Sequence, residues 1–120
     1  MDETNRHYLF VCAANRNRSP TAEGVFRALA AQAGLDVRVS SAGLSPFSER
    51  PVTQELADSA DRVFVMEDYM AQELEIHYGQ NPAKIVCLDI PDIYLRDDPL
   101  LVHILKEALA PFVPQKQAAR

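Results

Sequence analysis

The run His7-Tyr8-Leu9-Phe10-Val11-Cys12 passes directly into Ala13-Ala14-Asn15-Arg16-Asn17-Arg18-Ser19-Pro20, after which apolar residues recur at helical spacing. Apolar strand, tight loop, helix: this order constrains the chain more than any other stretch. A strand that enters a helix through so short a turn belongs to a parallel sheet covered by helices. Backbone N–H groups at a helix start have no intrahelical partner and carry the positive end of the helix dipole, so the loop gathers donors around one point and suits a tetrahedral oxyanion. Arg18 adds a planar fork of donors, which a lysine cannot match. Cys12 lies beneath the centre of that cradle, and surroundings that attract an anion also favour a thiolate nucleophile. Ala13, Ala14, Asn15, Arg16, Asn17 and Ser19 are the candidate binding residues. Ser19 is expected both to cap the helix and to donate to the sulfur. A buried strand cysteine followed by an ordinary basic turn is the competing reading of cysteine, five residues, arginine taken alone. Structural context on both sides favours the anion loop.

The rest of the chain alternates strand and helix patterns. From Pro20, the residues Ala22, Val25, Phe26, Leu29 and Ala33 predict a helix that ends at Gly34. Val37–Gly43, Arg62–Met66 and Ile85–Asp89 read as further strands; Val52–Ala60, Glu67–Tyr78 and Pro99–Leu109 read as helices, the last capped by Asp98. An α/β sheet follows, with ligand loops at the carboxyl ends of its strands. All 120 residues are expected to form a single domain, with Pro111–Arg120 as a frayed polar tail.

Charge and cysteine usage narrow the function. A net charge of −5 and a pI near 5.1 argue against non-specific nucleic-acid binding, and leave Arg16, Arg18 and Arg50 as a local positive spot. With two cysteines, Cys12 and Cys87, the chain is not a disulfide scaffold. Cys87 sits in an apolar run and reads as core. No signal-like N-terminus or membrane-length apolar run appears, so a cytoplasmic monomer or weak dimer without membrane partners is expected. His7, His77 and His103 are scattered, with no metal-ligand spacing.

The segment Val11-Cys12 through Arg18-Ser19-Pro20, with Asn15 between, resembles the phosphate loop of the low-molecular-weight protein tyrosine phosphatases. In that family the loop reads cysteine, any residue, glycine, asparagine, any residue, cysteine, arginine, serine, proline. Ala14 stands in place of the glycine, so a residue with a Cβ must hold a conformation easy for glycine. Asn17 stands in place of the second cysteine, which removes a thiol. The similarity continues at Ser41-Ala42-Gly43, where it implies that Ser41 holds the loop through hydrogen bonds; a plain strand-end serine is the alternative. It also implies a phosphatase I-like fold, a four-stranded parallel sheet in the order 2-1-3-4 with helices on both faces. Leu44–Pro51 would form part of the cleft wall, with Phe47 either flanking a substrate or packing on its own domain. The segment between the third strand and the fourth is short for the family, which implies a more open cleft.

A thiolate attacking a phosphate monoester needs an acid for the leaving group. Asp89-Ile90-Pro91-Asp92-Ile93-Tyr94-Leu95-Arg96-Asp97-Asp98-Pro99 leaves the fourth strand at the same sheet edge. By resemblance to the family's Asp-Pro-Tyr stretch, Asp92 is the general acid and Tyr94 a cleft wall. Asp98 is the rival, better explained as a helix cap; all four aspartates merely capping a turn is the structural alternative. The resemblance thus implies a cysteine-dependent phosphomonoester hydrolase, a tyrosine phosphatase active on aryl phosphates through a phosphocysteine intermediate, with no cofactor and no metal. Its partner would be a phosphorylated protein or a small phosphomonoester. A non-catalytic phosphate-binding module and a thiol-dependent arsenate reductase are the other readings, the latter requiring resolving thiols.

Overall fold

An unbroken apolar strand is stable only where both of its faces are covered, and β1 (His7–Cys12) is buried at every position. The computed structural model describes residues 6–114. Four parallel strands lie in the order β2-β1-β3-β4, with β2 at Arg38–Gly43, β3 at Arg62–Val65 and β4 at Ile85–Cys87. This is the order that the phosphate-loop resemblance implies. The register places Cys12 opposite Gly43, Val11 opposite Val65, and Val65 opposite Cys87. The ends of β1 and β2 and the exits of β3 and β4 therefore meet at one edge.

Side-chain alternation along β1 sends Tyr8 and Phe10 to the face covered by α1 (Arg18–Gln32), where Phe26 lies 4.6 and 5.6 Å from their ring centroids. Phe10 also stacks on Phe64 at 4.8 Å. α4 (Pro99–Leu109) packs against α1 and buries Leu101, Leu105 and Leu109 completely, one residue per helical turn. Burial of each such side chain contributes about 1.5–3 kcal/mol. On the opposite face, His7 meets Ser59 at the end of α2 (Gln54–Ser59), which packs on α3 (Asp68–Tyr78).

Three expectations change. β4 stops at Cys87 and is half-buried throughout: it is an edge strand and, unlike the other edge strand β2, is not packed under α1. Cys87 is consequently half-buried rather than core. α1 begins at Arg18, so Ser19 lies inside the first turn and is not its cap; Pro20 occupies a position whose N–H would have no partner in any case. After α4, residues Ala110–Phe112 form a 3-10 turn that sets the Phe112 ring edge-on to Phe64 at 5.2 Å and beneath the Arg62 guanidinium at 5.7 Å. The chain is held on the core there rather than fraying from Pro111. Residues 115–120 of the expected tail lie outside the described residues.

His7 is buried, with Nδ1 3.2 Å from Ser59 Oγ and Nε2 2.9 Å from Ser40 Oγ. Ser59 gives its own proton to Leu56 O, so Nδ1 donates to Ser59 and Nε2 accepts from Ser40, the pattern of a neutral imidazole. Burial, then the charge of Arg38, lowers its pKa below 6.5. The unfolded chain binds a proton there that the folded chain refuses, so this contribution to stability is complete above about pH 6.5 and is lost as pH falls below it. The urea midpoint is expected to drop between about pH 7.5 and 5.5, and to drop less in His7→Gln. Equal slopes in both proteins would refute the assignment.

Candidate active site

The loop that follows β1 is curved by one strained residue and one missing side chain. Asn15 has φ 52°, in the left-handed region that asparagine tolerates better than most residues. Ala14 is not among the described residues with positive φ, so the conformational demand expected at that position falls on Asn15 instead. Gly43 lets the loop come close: a Cβ there would collide with Ser48 Oγ and lie 2.8 Å from both Ala14 C and Asn15 N. Ser45 N–H donates to Ala13 O at 2.9 Å and Leu44 N–H to Cys12 O at 3.0 Å, which fastens the loop after β2 to the loop after β1.

Beneath the loop a directional hydrogen-bond chain ends at the sulfur. Ser41 Oγ donates to Glu23 Oε1 at 2.6 Å and therefore accepts from Asn15 Nδ2 at 2.9 Å. The second Nδ2 proton goes to Ser19 Oγ at 2.9 Å. Ser19 is thus an acceptor from Asn15; its hydroxyl lies 3.0 Å from Cys12 Sγ, a contact in which either atom can donate, and 3.4 Å from Ala42 O as a donor. Asn15, Ser19 and Ser41 support the loop from below.

Above it lies a cavity of about 130 Å³ lined by Cys12, Ala13, Ala14, Arg16, Asn17, Arg18 and Asp92. No backbone N–H from Ala13 to Asn17 has an acceptor among the described residues, which leaves these donors to a ligand. The Arg18 side chain is 2% exposed. Its Nη1 donates to Glu67 Oε2 at 2.6 Å and to Ile90 O at 2.8 Å, while Nε is buried without any hydrogen-bond partner. Asp92 Oδ1 stands 3.7 Å from Nε, too far for a hydrogen bond. A buried charged donor left unmatched costs at least about 1–3 kcal/mol, and an oxyanion in the cavity offsets that.

Of the sequence-derived candidates, Cys12, Arg18 and Asp92 surround one cavity. Asp98 does not: it accepts Leu100 N–H at 2.9 Å as the cap of α4. Tyr94 is half-buried against the core and does not line the cavity, and Arg50 lines a separate hollow with Arg38. Phe47 is 93% exposed and packs on nothing. The Ile90 carbonyl and Glu23 carry no sequence signal of their own, since each acts through a fold contact distant in sequence; Glu67 follows Met66 at the end of β3, a Met-acidic pair of the kind the family resemblance implies there. Tyr69, beside Glu67, was missed likewise; burial, then the Glu67 charge, raises its pKa and keeps the phenol protonated.

The family model for low molecular weight phosphotyrosine protein phosphatase matches residues 7–55. A protein-arginine-phosphatase of Bacillus subtilis (strain 168) is 32% identical over 102 residues, covering 67% of this chain and 68% of the relative. The chain belongs to the low-molecular-weight protein tyrosine phosphatase family. Among solved structures, the YwlE arginine phosphatase, as a cysteine-to-serine mutant with its active-site serine phosphorylated, superposes with a TM-score of 0.72 at 26% identity, covering 89% of this chain and 93% of that one. The tyrosine phosphatase Wzb from Escherichia coli K30 with sulphate shares the fold, with a TM-score of 0.74 at 19% identity over 91% and 96% of the two chains. No group of three metal-binding side chains occurs among the described residues, and no helix there is long and apolar enough to cross a membrane.

The register bears on oxidation of this phosphatase-family thiol. Val11 and Cys87 flank Val65 on opposite sides, so β1 and β4 are two strand spacings apart, about 10 Å. A disulfide requires Cα atoms within about 7 Å. Burial also pushes the Cys87 thiol up, away from the reactive thiolate. Peroxide is therefore expected to inactivate the protein, inorganic phosphate to slow this, and dithiothreitol to restore little activity after prolonged exposure. Full recovery, with a Cys12–Cys87 disulfide found by mass spectrometry, would show the reverse.

Proposed function

We propose that the chain is a cysteine-dependent protein phosphatase that works through a phosphocysteine intermediate. The observation that carries this reading is the buried Arg18, with an unmatched Nε, lining one cavity with Cys12 and Asp92. The loop amides and Arg18 hold the phosphoryl oxygens, and more tightly as charge develops on them. The Cys12 sulfur attacks phosphorus; the S–P bond forms as the bond to the leaving group breaks, and Asp92 gives that group its proton. Asp92, now a carboxylate, takes a proton from water as the water oxygen attacks phosphorus. The S–P bond breaks, inorganic phosphate forms, and the bonding pair returns to the Cys12 sulfur as a thiolate beside the Ser19 hydroxyl.

Phosphotyrosine is the substrate that the exposed aromatic rings favour. Phe47 rides on the loop bonded to Ala13, and Tyr69 follows Glu67 at the start of α3. Phosphoarginine is the second reading, supported by the 32% identical relative that is a protein-arginine-phosphatase. Paired peptides phosphorylated on tyrosine or on arginine separate the two by kcat/KM.

Cys12→Ser is expected to abolish turnover of an aryl phosphate while phosphate binding stays within a few-fold; retained turnover would sink the reading. Arg18→Lys should also be severely impaired, because a point charge replaces a fork. Asp92→Asn is expected to slow poor leaving groups by about 10²-fold or more, activated ones far less, and to remove the basic limb of the pH profile. The same signature in Asp98→Asn would move the acid there.

A further inference from the structure

The span that carries Asp92 is held by polar grips as well as by packing. Ile90 is buried and Tyr94 is half-buried against the core, but Ile93 and Leu95 are 74% and 76% exposed, so the residues on either side of Tyr94 add little hydrophobic hold. Upstream, Arg18 Nη1 holds Ile90 O at 2.8 Å, and Ile90 N–H donates to Met66 O at 2.9 Å. Downstream, Arg96 N–H donates to Asn17 Oδ1 at 3.1 Å and Asp97 N–H to Thr21 Oγ1 at 2.9 Å. Thr21 Oγ1 donates in turn to Asn17 O at 2.7 Å, joining the two grips. Asp89 and Asp97, at either end of the segment, both have positive φ, 60° and 62°.

Asn17 makes an unusual choice at its position. It is the N-cap of α1, where an asparagine oxygen ordinarily accepts an N–H of the first turn. Its side chain makes no capping bond. The carboxamide oxygen is turned to residue 96 instead. A thiol at this position, as in the family's phosphate loop, is a weak acceptor and a poor substitute for that oxygen.

We propose that Asn17 is a positioning residue for the general acid: with Thr21 it anchors Arg96–Asp97 to the start of α1 and so keeps Asp92 over Cys12 and Arg18. The inference rests on the reading of Asp92 as the acid. Arg18 and Asn17, adjacent in sequence, then grip the two ends of the acid-bearing span, and the phosphate loop builds the position of its own acid. A loop position that holds a cysteine in the family's phosphate loop serves geometry here.

The test compares kcat/KM for aryl phosphates of rising leaving-group basicity in the parent, Asn17→Ala, Asn17→Asp, Thr21→Val and Asp92→Asn. Asn17→Ala removes no capping bond, so α1 should persist, as circular dichroism can verify. Asn17→Ala and Thr21→Val are expected to lose about tenfold on phenyl phosphate and about twofold on an activated ester, a weaker form of the Asp92→Asn pattern. Inhibition by inorganic phosphate should change less than threefold in both. Asn17→Asp, which keeps the acceptor oxygen, should restore the shallow leaving-group dependence. Independently of activity, the Arg96 and Asp97 amides should lose hydrogen-exchange protection in Asn17→Ala. A steep dependence in Asp92→Asn with a uniform loss in Asn17→Ala would overturn the anchor and leave the acid standing. A flat dependence in Asp92→Asn would overturn the acid, and the anchor's role with it.

Discussion

The buried guanidinium of Arg18 is the contact on which the rest of the site depends. A charge that is 2% exposed is tolerable only where its donors are matched, and Nη1 is matched by Glu67 from the exit of β3 and by the Ile90 carbonyl from beyond β4. One side chain at the start of α1 thereby joins the crossover after β3 to the segment after β4. Its Nε stays unmatched, and Arg18 lines one cavity with Cys12 and Asp92. Stability and ligand affinity are coupled at this point: the fold orients the fork, and a positive charge whose donors are not all matched makes the cavity attractive to an oxyanion.

The sulfur is prepared by a second device, independent of that charge. Ser41 donates to the Glu23 carboxylate, which can only accept, and the Asn15 amide gives its two protons to Ser41 and Ser19. The Ser19 hydroxyl is thereby held 3.0 Å from the Cys12 sulfur. The cost is backbone strain of order 1–3 kcal/mol at Asn15, held in place by the close approach that Gly43 permits.

Local chemistry was readable wherever a residue acts on its neighbours in sequence. The β1–loop–α1 unit, the anion cradle and the Asp98 cap follow from apolar periodicity, orphan amides and a proline at a helix start, all short-range effects. The order of the strands came from resemblance, because periodicity gives strands but not their neighbours. The apolar run of Ile85–Cys87 looked like core, yet its strand lies at the sheet edge. Burial depends on what stands beside a strand, and that is absent from its own residues.

The sequence by itself determined that Cys12, the amides of a curled loop and Arg18 converge on one point, since chain connectivity and helix geometry leave them nowhere else to go. Only the tertiary structure decided which aspartate meets them. Asp92 and Asp98 are equally acidic in composition, and they differ because α4 claims Asp98 as its cap while Arg18 and Asn17 draw the span carrying Asp92 over the cavity. The bonds that make this choice, Arg18 to Ile90 and Asn17 to Arg96, join residues 72 and 79 positions apart. They exist only once the sheet has brought the exits of β1, β3 and β4 to a common edge.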